Sequence, residues 1–158
     1  ARDIKNDFDA TELEKNADKY SDYEERSSIN AQYEGQMHEG VSYERYYESY
    51  SNGENLTGVG ANFDPHSKFD AQLPEEKYIG TYEVHNKECN NQLLKSVNSN
   101  PELSKQFNSD QLEQIKNGDT PEGFTWHHDI PEGRMQLVDR KLHERARHTG
   151  GKAIWGGG

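Results

Sequence analysis

Residues 124–151 constrain this chain's fold more tightly than any other stretch. Phe124-Thr125-Trp126-His127-His128 is short, aromatic and β-branched and reads as a strand. Pro131-Glu132-Gly133 is turn chemistry, and Arg134-Met135-Gln136-Leu137-Val138 alternates polar and apolar like the returning strand of a hairpin. Asp139 is a good N-cap for a helix through about Arg147, stopped by Gly150-Gly151. Four of the chain's seven histidines sit on this strand–turn–strand–helix unit: His127, His128, His143 and His148, all within 22 residues. His38, His66 and His85 are scattered upstream.

Imidazole is the commonest protein metal ligand and changes charge near neutral pH, so this cluster is where the function is expected. Neighbours on a strand begin on opposite faces. His127 and His128 therefore share one site only if the strand ends or bends there, as Asp129-Ile130-Pro131 suggests. His148 follows His143 by five residues, a rotation of about 500° that leaves the two about 140° apart on a regular helix. It joins His143 only where the helix unwinds. Three readings fit: a metal site, a metal-free histidine pair, or histidines placed against phosphate. Phosphodiester hydrolysis suits the first, because a metal with imidazole ligands neutralises the phosphate while a separate His deprotonates water.

Upstream the signals are weaker. Residues 1–60 are acidic and rich in tyrosine, with a loose helical rhythm in Ile4, Phe8, Leu13, Tyr20 and Tyr23 that extends a helix from Ala10 to about Gln36. Tyr43, Tyr46, Tyr47 and Tyr50 recur at helical spacing. This region reads as a helical appendage, as a surface that meets a partner, or as a nucleic-acid mimic over the basic end. Ser51-Asn52-Gly53 through Gly58-Val59-Gly60 is turn-rich and marks a boundary, dividing the chain into 1–60 and 61–158. Beyond it Tyr78–Tyr82 is the best strand candidate, and helices are expected over Asn86–Asn98, Pro101–Phe107 and Asp110–Lys116, the last capped by Ser109 and ended by Gly118.

Composition limits the alternatives. Hydrophobic residues are 30% and the mean hydropathy is -1.23, so much of the chain is expected on the surface, on a partner or in disorder. No apolar run is long enough to span a membrane and no basic-then-apolar leader opens the chain. A start without Met and an end on Gly156-Gly157-Gly158 read as a fragment of something longer. The lone Cys89 excludes an internal disulfide and a Cys-based zinc site, and reads as a small buried apolar residue. The overall charge of -11 is poor for a nucleic-acid binder, but residues 134–158 carry a net +4 while residues 1–50 carry -7. The basic end coincides with the histidines. A cationic site on an acidic body suits an enzyme acting on a polyanion, and equally an ordinary solvated helix face.

The motifs Gly123-Phe-Thr-Trp-His-His128, Gly133-Arg-Met-Gln-Leu-Val138, Leu142-His143, Arg147-His-Thr-Gly-Gly151 and Ala153-Ile154-Trp155-Gly156-Gly157 closely resemble the WHH-type nuclease domain of the HNH/endonuclease VII (ββα-metal, or His-Me finger) superfamily. That domain is a C-terminal toxin module of bacterial polymorphic toxins. The likeness extends upstream through Leu73-Pro74, Cys89-Asn90, Pro101-Glu-Leu and Gln114-Ile115-Lys-Asn-Gly118. It implies a ββα-metal core and does not reach residues 1–60; with the helical rhythm read there, the chain is expected to be α+β, a mostly helical N-terminal part followed by that core. It implies His127 as a metal ligand and His128 as the general base, with His143 and His148 completing the metal site or contacting phosphate. The Asn that orients the base in many relatives is absent, leaving Gln136 as the nearest polar candidate. Asp129 stands where many relatives have a further His, and is a hydrogen-bond acceptor for the pair or merely solvated.

The expected function is that of a toxin used in interbacterial competition, a DNase of little sequence specificity that uses one divalent ion (Zn, Mg or Ni). It would be part of a larger secreted effector, act in the target-cell cytoplasm and be neutralised by an immunity protein. Arg134, Arg145, Arg147 and Lys152 would contact phosphates, which carry no sequence information. An RNase with the same site is one alternative. A non-catalytic module holding structural zinc is another; it would use four protein ligands and leave no base.

Overall fold

The computed structural model describes residues 19–146, 148 and 150–158. Within them the order is strands first, then helices, then a hairpin and two short helices. Strands β1 (Glu24–Glu25), β2 (Met37–His38), β3 (Val41–Ser49) and β4 (Asn55–Asn62) form one sheet in the order β1-β4-β3-β2. Strands β5 (Phe69–Gln72), β6 (Phe124–His128) and β7 (Arg134–Asp139) form a second in the order β5-β7-β6. The fold is α+β as expected, but the described N-terminal residues form strands rather than a mostly helical part. The helix expected from Ala10 lies outside the described residues up to residue 18; its remainder is a turn, β1 and a 3-10 turn over Ile29–Tyr33 capped by Ser28.

The tyrosine stripe shows why. Tyr43 is fully buried in a cluster with Val41, Val59, Ala61 and Phe63, while Tyr46 and Tyr50 pack into a different cluster with Leu56. Odd and even positions thus serve opposite faces, as on a strand. Helical spacing contains even separations too, and here cross-strand partners decide between them: Tyr43 faces Ala61 and Tyr47 faces Thr57 in the β3–β4 pairing. Asn52-Gly53, with Gly53 at φ 91, turns β3 back into β4. The boundary drawn at residue 60 falls within β4.

Helix α1 (Tyr82–Ser99) starts four residues ahead of its expected start, because Thr81 accepts the amide of Val84 and caps it. The segment Tyr78–Tyr82 is consequently a turn and cap, not a strand. His85, Cys89 and Leu93, at i, i+4, i+8, are its buried stripe. Asn100 caps α2 (Pro101–Ser104), and Asn108 with Gln111 forms a capping box on α3 (Ser109–Lys116). These helices cover the face of the second sheet that carries Trp126, Met135 and Leu137. The other face, through Val138, meets Phe63, Tyr43 and Ala146. The hairpin and the helix after it lie where the spacing predicts, with Asp139 accepting the Leu142 amide to cap α4 (Arg140–Arg145). A last short helix, α5 (Lys152–Trp155), follows Gly150-Gly151. No helix among the described residues is long and apolar enough to cross a membrane.

Candidate active site

The site forms at the end of β6. His127 and His128 are 3% and 5% exposed and stand on opposite faces of the strand. The strand stops where Asp129 bonds back to Arg134 (2.9 Å). The chain beyond α4 then crosses this end, held by Gly151 N donating to His128 O and Trp155 Nε1 donating to Asp129 O, both 2.8 Å. The approach is close enough that a Cβ on Gly151 would overlap the Asp129 carbonyl, so Gly150-Gly151 is a contact point as well as a helix stop.

This crossing brings His148 to His143 and His127. One nitrogen of each lies within 4.8 Å of the others. His127 Nδ1 and His143 Nε2 are 3.2 Å apart, close to the roughly 3.3 Å between two nitrogens bound tetrahedrally to one zinc. The Phe63 ring packs against all three, with centroids 4.5, 5.4 and 5.4 Å from those of His127, His143 and His148. His148 stands past the end of α4, so its i+5 spacing is no obstacle. A carbonyl only accepts, so the 2.8 Å contact to Ala146 O places the His148 proton on Nδ1 and leaves Nε2 to bind. His127 Nε2 is buried without a hydrogen-bond partner. Its nearest charge, Asp129 Oδ1 at 3.6 Å, is beyond hydrogen-bond length but on the side where a ligating His presents its second nitrogen. Burial first, then the other histidines, pushes His143 down to about 3. His148 is lowered as well, chiefly by burial. Three imidazoles this close fit a divalent metal, and three protein ligands would leave a position open.

His128 lies on the other face, among the first turn of α1 and Trp155. Its Nε2 is 2.9 Å from His85 Nδ1, and the Tyr82 ring meets it edge-on at 5.3 Å. Burial, followed by His85, His127 and Lys152, pushes its imidazole down to about 3. The cleft above is lined by Tyr82, His127, His128, His143, His148 and Lys152.

The remaining expected residues have mixed placements. Gln136 stands opposite His127 in the pairing, and its Nε2 donates to Asp64 (2.8 Å) and Asp70 (3.3 Å), away from His128. Arg134 is held by Asp64, Asp70 and Asp129 at 3.1, 2.9 and 2.8 Å, so its charge is met inside the protein. These contacts do not favour the orienting role for Gln136 or phosphate contact for Arg134. Lys152 is 8% exposed, donates to Gly158 O (2.8 Å), and lies 4.7 Å over the Tyr82 ring beside the cleft. Arg145 is exposed, 3.8 Å from Glu39. Arg147 lies outside the described residues. Sequence reasoning missed His85, Phe63 and Tyr82. The signal for His85 was its spacing with Cys89 and Leu93, which puts it on the buried stripe of α1.

A family model described as the DNase/tRNase domain of colicin-like bacteriocin matches residues 52–150. Neither a curated protein nor a solved structure matches the chain. The matched span begins in the β3–β4 turn and contains His85 and all four clustered histidines, and so takes in both faces of the site. The match covers more than half of the chain, which therefore belongs to the DNase/tRNase domains of colicin-like bacteriocins and is a nuclease toxin domain.

Proposed function

We propose that the chain is a metal-dependent endonuclease that hydrolyses DNA phosphodiesters with little sequence specificity, of the WHH type within the His-Me finger superfamily. The observation that carries this reading is the three-histidine cluster with a fourth, separately held histidine across the strand. His127, His143 and His148 would hold one divalent ion, which when bound neutralises phosphate charge and eases departure of the leaving oxygen. His128 takes the proton from the attacking water. Burial disfavours its protonated form, so the ring is neutral when water approaches. Lys152 and Arg145 offer charge to the backbone without reading bases. Arg134 instead braces Asp129, whose carboxylate faces His127 Nε2.

Among the described residues three candidate ligands converge, which favours catalysis over structural zinc, closed by four protein ligands. In this reading the domain is the toxic end of a larger secreted effector used against competing bacteria. It acts in the target cytoplasm and is neutralised in the producer by an immunity protein.

The test incubates supercoiled DNA and RNA separately with the chain and Mg²⁺, Zn²⁺, Ni²⁺ or EDTA. DNA cleavage that EDTA and His128→Ala abolish, with the fold retained, is the expected result. Cleavage of RNA alone would move the activity to an RNase, and full activity in His128→Ala would remove the base. Calorimetry showing no uptake of any of the three ions would remove the metal.

A further inference from the structure

We propose that His85 is a positioning residue that fixes which nitrogen of His128 is free to act, which deepens the proposed reading of His128 as base and rests on it. The hydrogen bonds form a chain with one direction. His85 Nε2 is 2.7 Å from Lys77 O, and a carbonyl oxygen only accepts, so this nitrogen carries the His85 proton. In the neutral ring His85 Nδ1 is then a lone pair. Its partner at 2.9 Å, His128 Nε2, must donate. The proton of neutral His128 therefore sits on Nε2, and Nδ1 is left with the lone pair. A base that chose its tautomer freely would spend part of its time with the wrong nitrogen protonated.

The surroundings hold this chain of bonds in place. His85 is fully buried, and Cys89 and Leu93, one and two turns on, anchor its helix in the core. The turn bearing Lys77 O packs so closely that a Cβ on Gly80 would stand 3.2 Å from His85 Nε2. Trp155 packs against both imidazoles, 6.0 Å from His85 and 5.7 Å from His128. Among the described residues neither Gln136 nor any other side-chain amide bonds to the His128 ring. The role that the sequence left to Gln136 falls to a residue 43 positions upstream of the base.

The experiment uses the full chain loaded with Zn²⁺, ¹⁵N-labelled at histidine, with tautomers read from long-range ¹H–¹⁵N correlation spectra. Wild type is expected to show His128 protonated on Nε2 alone. His85→Leu removes the acceptor and should give a mixture of tautomers. On DNA, kcat should fall about 10–100-fold, the usual scale for losing an orienting partner, with KM and Zn²⁺ affinity within about twofold. His85→Asn keeps an acceptor near the Nδ1 position; it should recover part of kcat, and it is the variant to read if His85→Leu does not fold. Nδ1-protonated His128 in the wild type would overturn the proposal, as would unchanged tautomer and kcat in both variants. If His128→Ala stays fully active while the tautomer results hold, the base assignment fails and the hydrogen-bond assignment survives.

Discussion

Gly151→Ala tests the claim that the chain beyond α4 is clamped to the end of β6. Gly151 has ordinary helical dihedrals (φ -64, ψ -23), so alanine meets no backbone strain there. The obstacle is space: its Cβ would overlap Asp129 O and Trp155 Nε1. Rigid backbone cannot yield as a flexible side chain would, so the segment must lift. Overpacking of this kind costs about 1–3 kcal/mol. Lifting also breaks the bonds Gly151 N to His128 O and Trp155 Nε1 to Asp129 O, both 2.8 Å, at about 1 kcal/mol each. The sum is about 3–5 kcal/mol, or about 6–20 °C in melting temperature for a chain of this length. Gly150→Ala is the control, because its Cβ would stand 3.1 Å from His128 O, a contact relieved by a few tenths of an ångström. Alanine there also trims unfolded-state entropy, so its net effect stays within about 1 kcal/mol. Thermal melts by circular dichroism read both variants. Calorimetry with Zn²⁺ should show weaker binding only in Gly151→Ala, since His148 moves with the segment. Equal melting temperatures for the two variants would refute the clamp.

Other expectations follow from single contacts. Phe63→Ala removes a fully buried ring from behind the three histidines and should cost about 3–5 kcal/mol, with Zn²⁺ affinity reduced even where the protein is still folded. Retained affinity would show that the triad needs no such support. Trp126→Phe deletes the 2.7 Å bond to Asn90 Oδ1 and should cost about 1–2 kcal/mol by urea titration, because Asn90 is buried and keeps only Thr120 as a donor to that oxygen. Burial pushes the Cys89 thiol up to about 12. Native protein at pH 8 should therefore resist thiol reagents until it unfolds. The raised pKa leaves the Cys89 contribution to stability complete below about pH 9 and removes it as pH climbs toward 12. Rapid labelling of native protein at pH 8 would contradict this.

The C-terminal unit was legible because its signals are local: β-branched and aromatic pairs, a Pro-Glu-Gly turn and an Asp cap lie within a few residues of what they specify. The first half was not, because its aliphatics are few and tyrosine serves strand and helix alike. Only the pairing of Tyr43 with Ala61 and of Tyr47 with Thr57 decides it, and pairing is invisible from one strand alone. The three-histidine cluster could be read from density along the chain. The partner of His128 could not, since 43 residues separate it from His85 and the intervening helices set their meeting. The partners of Arg134 were hidden for a related reason: Asp64, Asp70 and Asp129 reach it from three separate segments.

The placement of His127 and His128 on opposite faces of one strand makes β6 a partition. The three histidines proposed to hold an ion rest on Phe63 and α4 below it. The histidine proposed as base rests above it on α1, through His85, and on the turn at Lys77. The two sides meet again in the returning tail: Gly151 N donates to His128 O and Trp155 packs on the His128 ring, while His148 on the same tail joins His127. Damage to that tail should therefore disturb both sides at once, whereas damage at Phe63 or at His85 begins on one side.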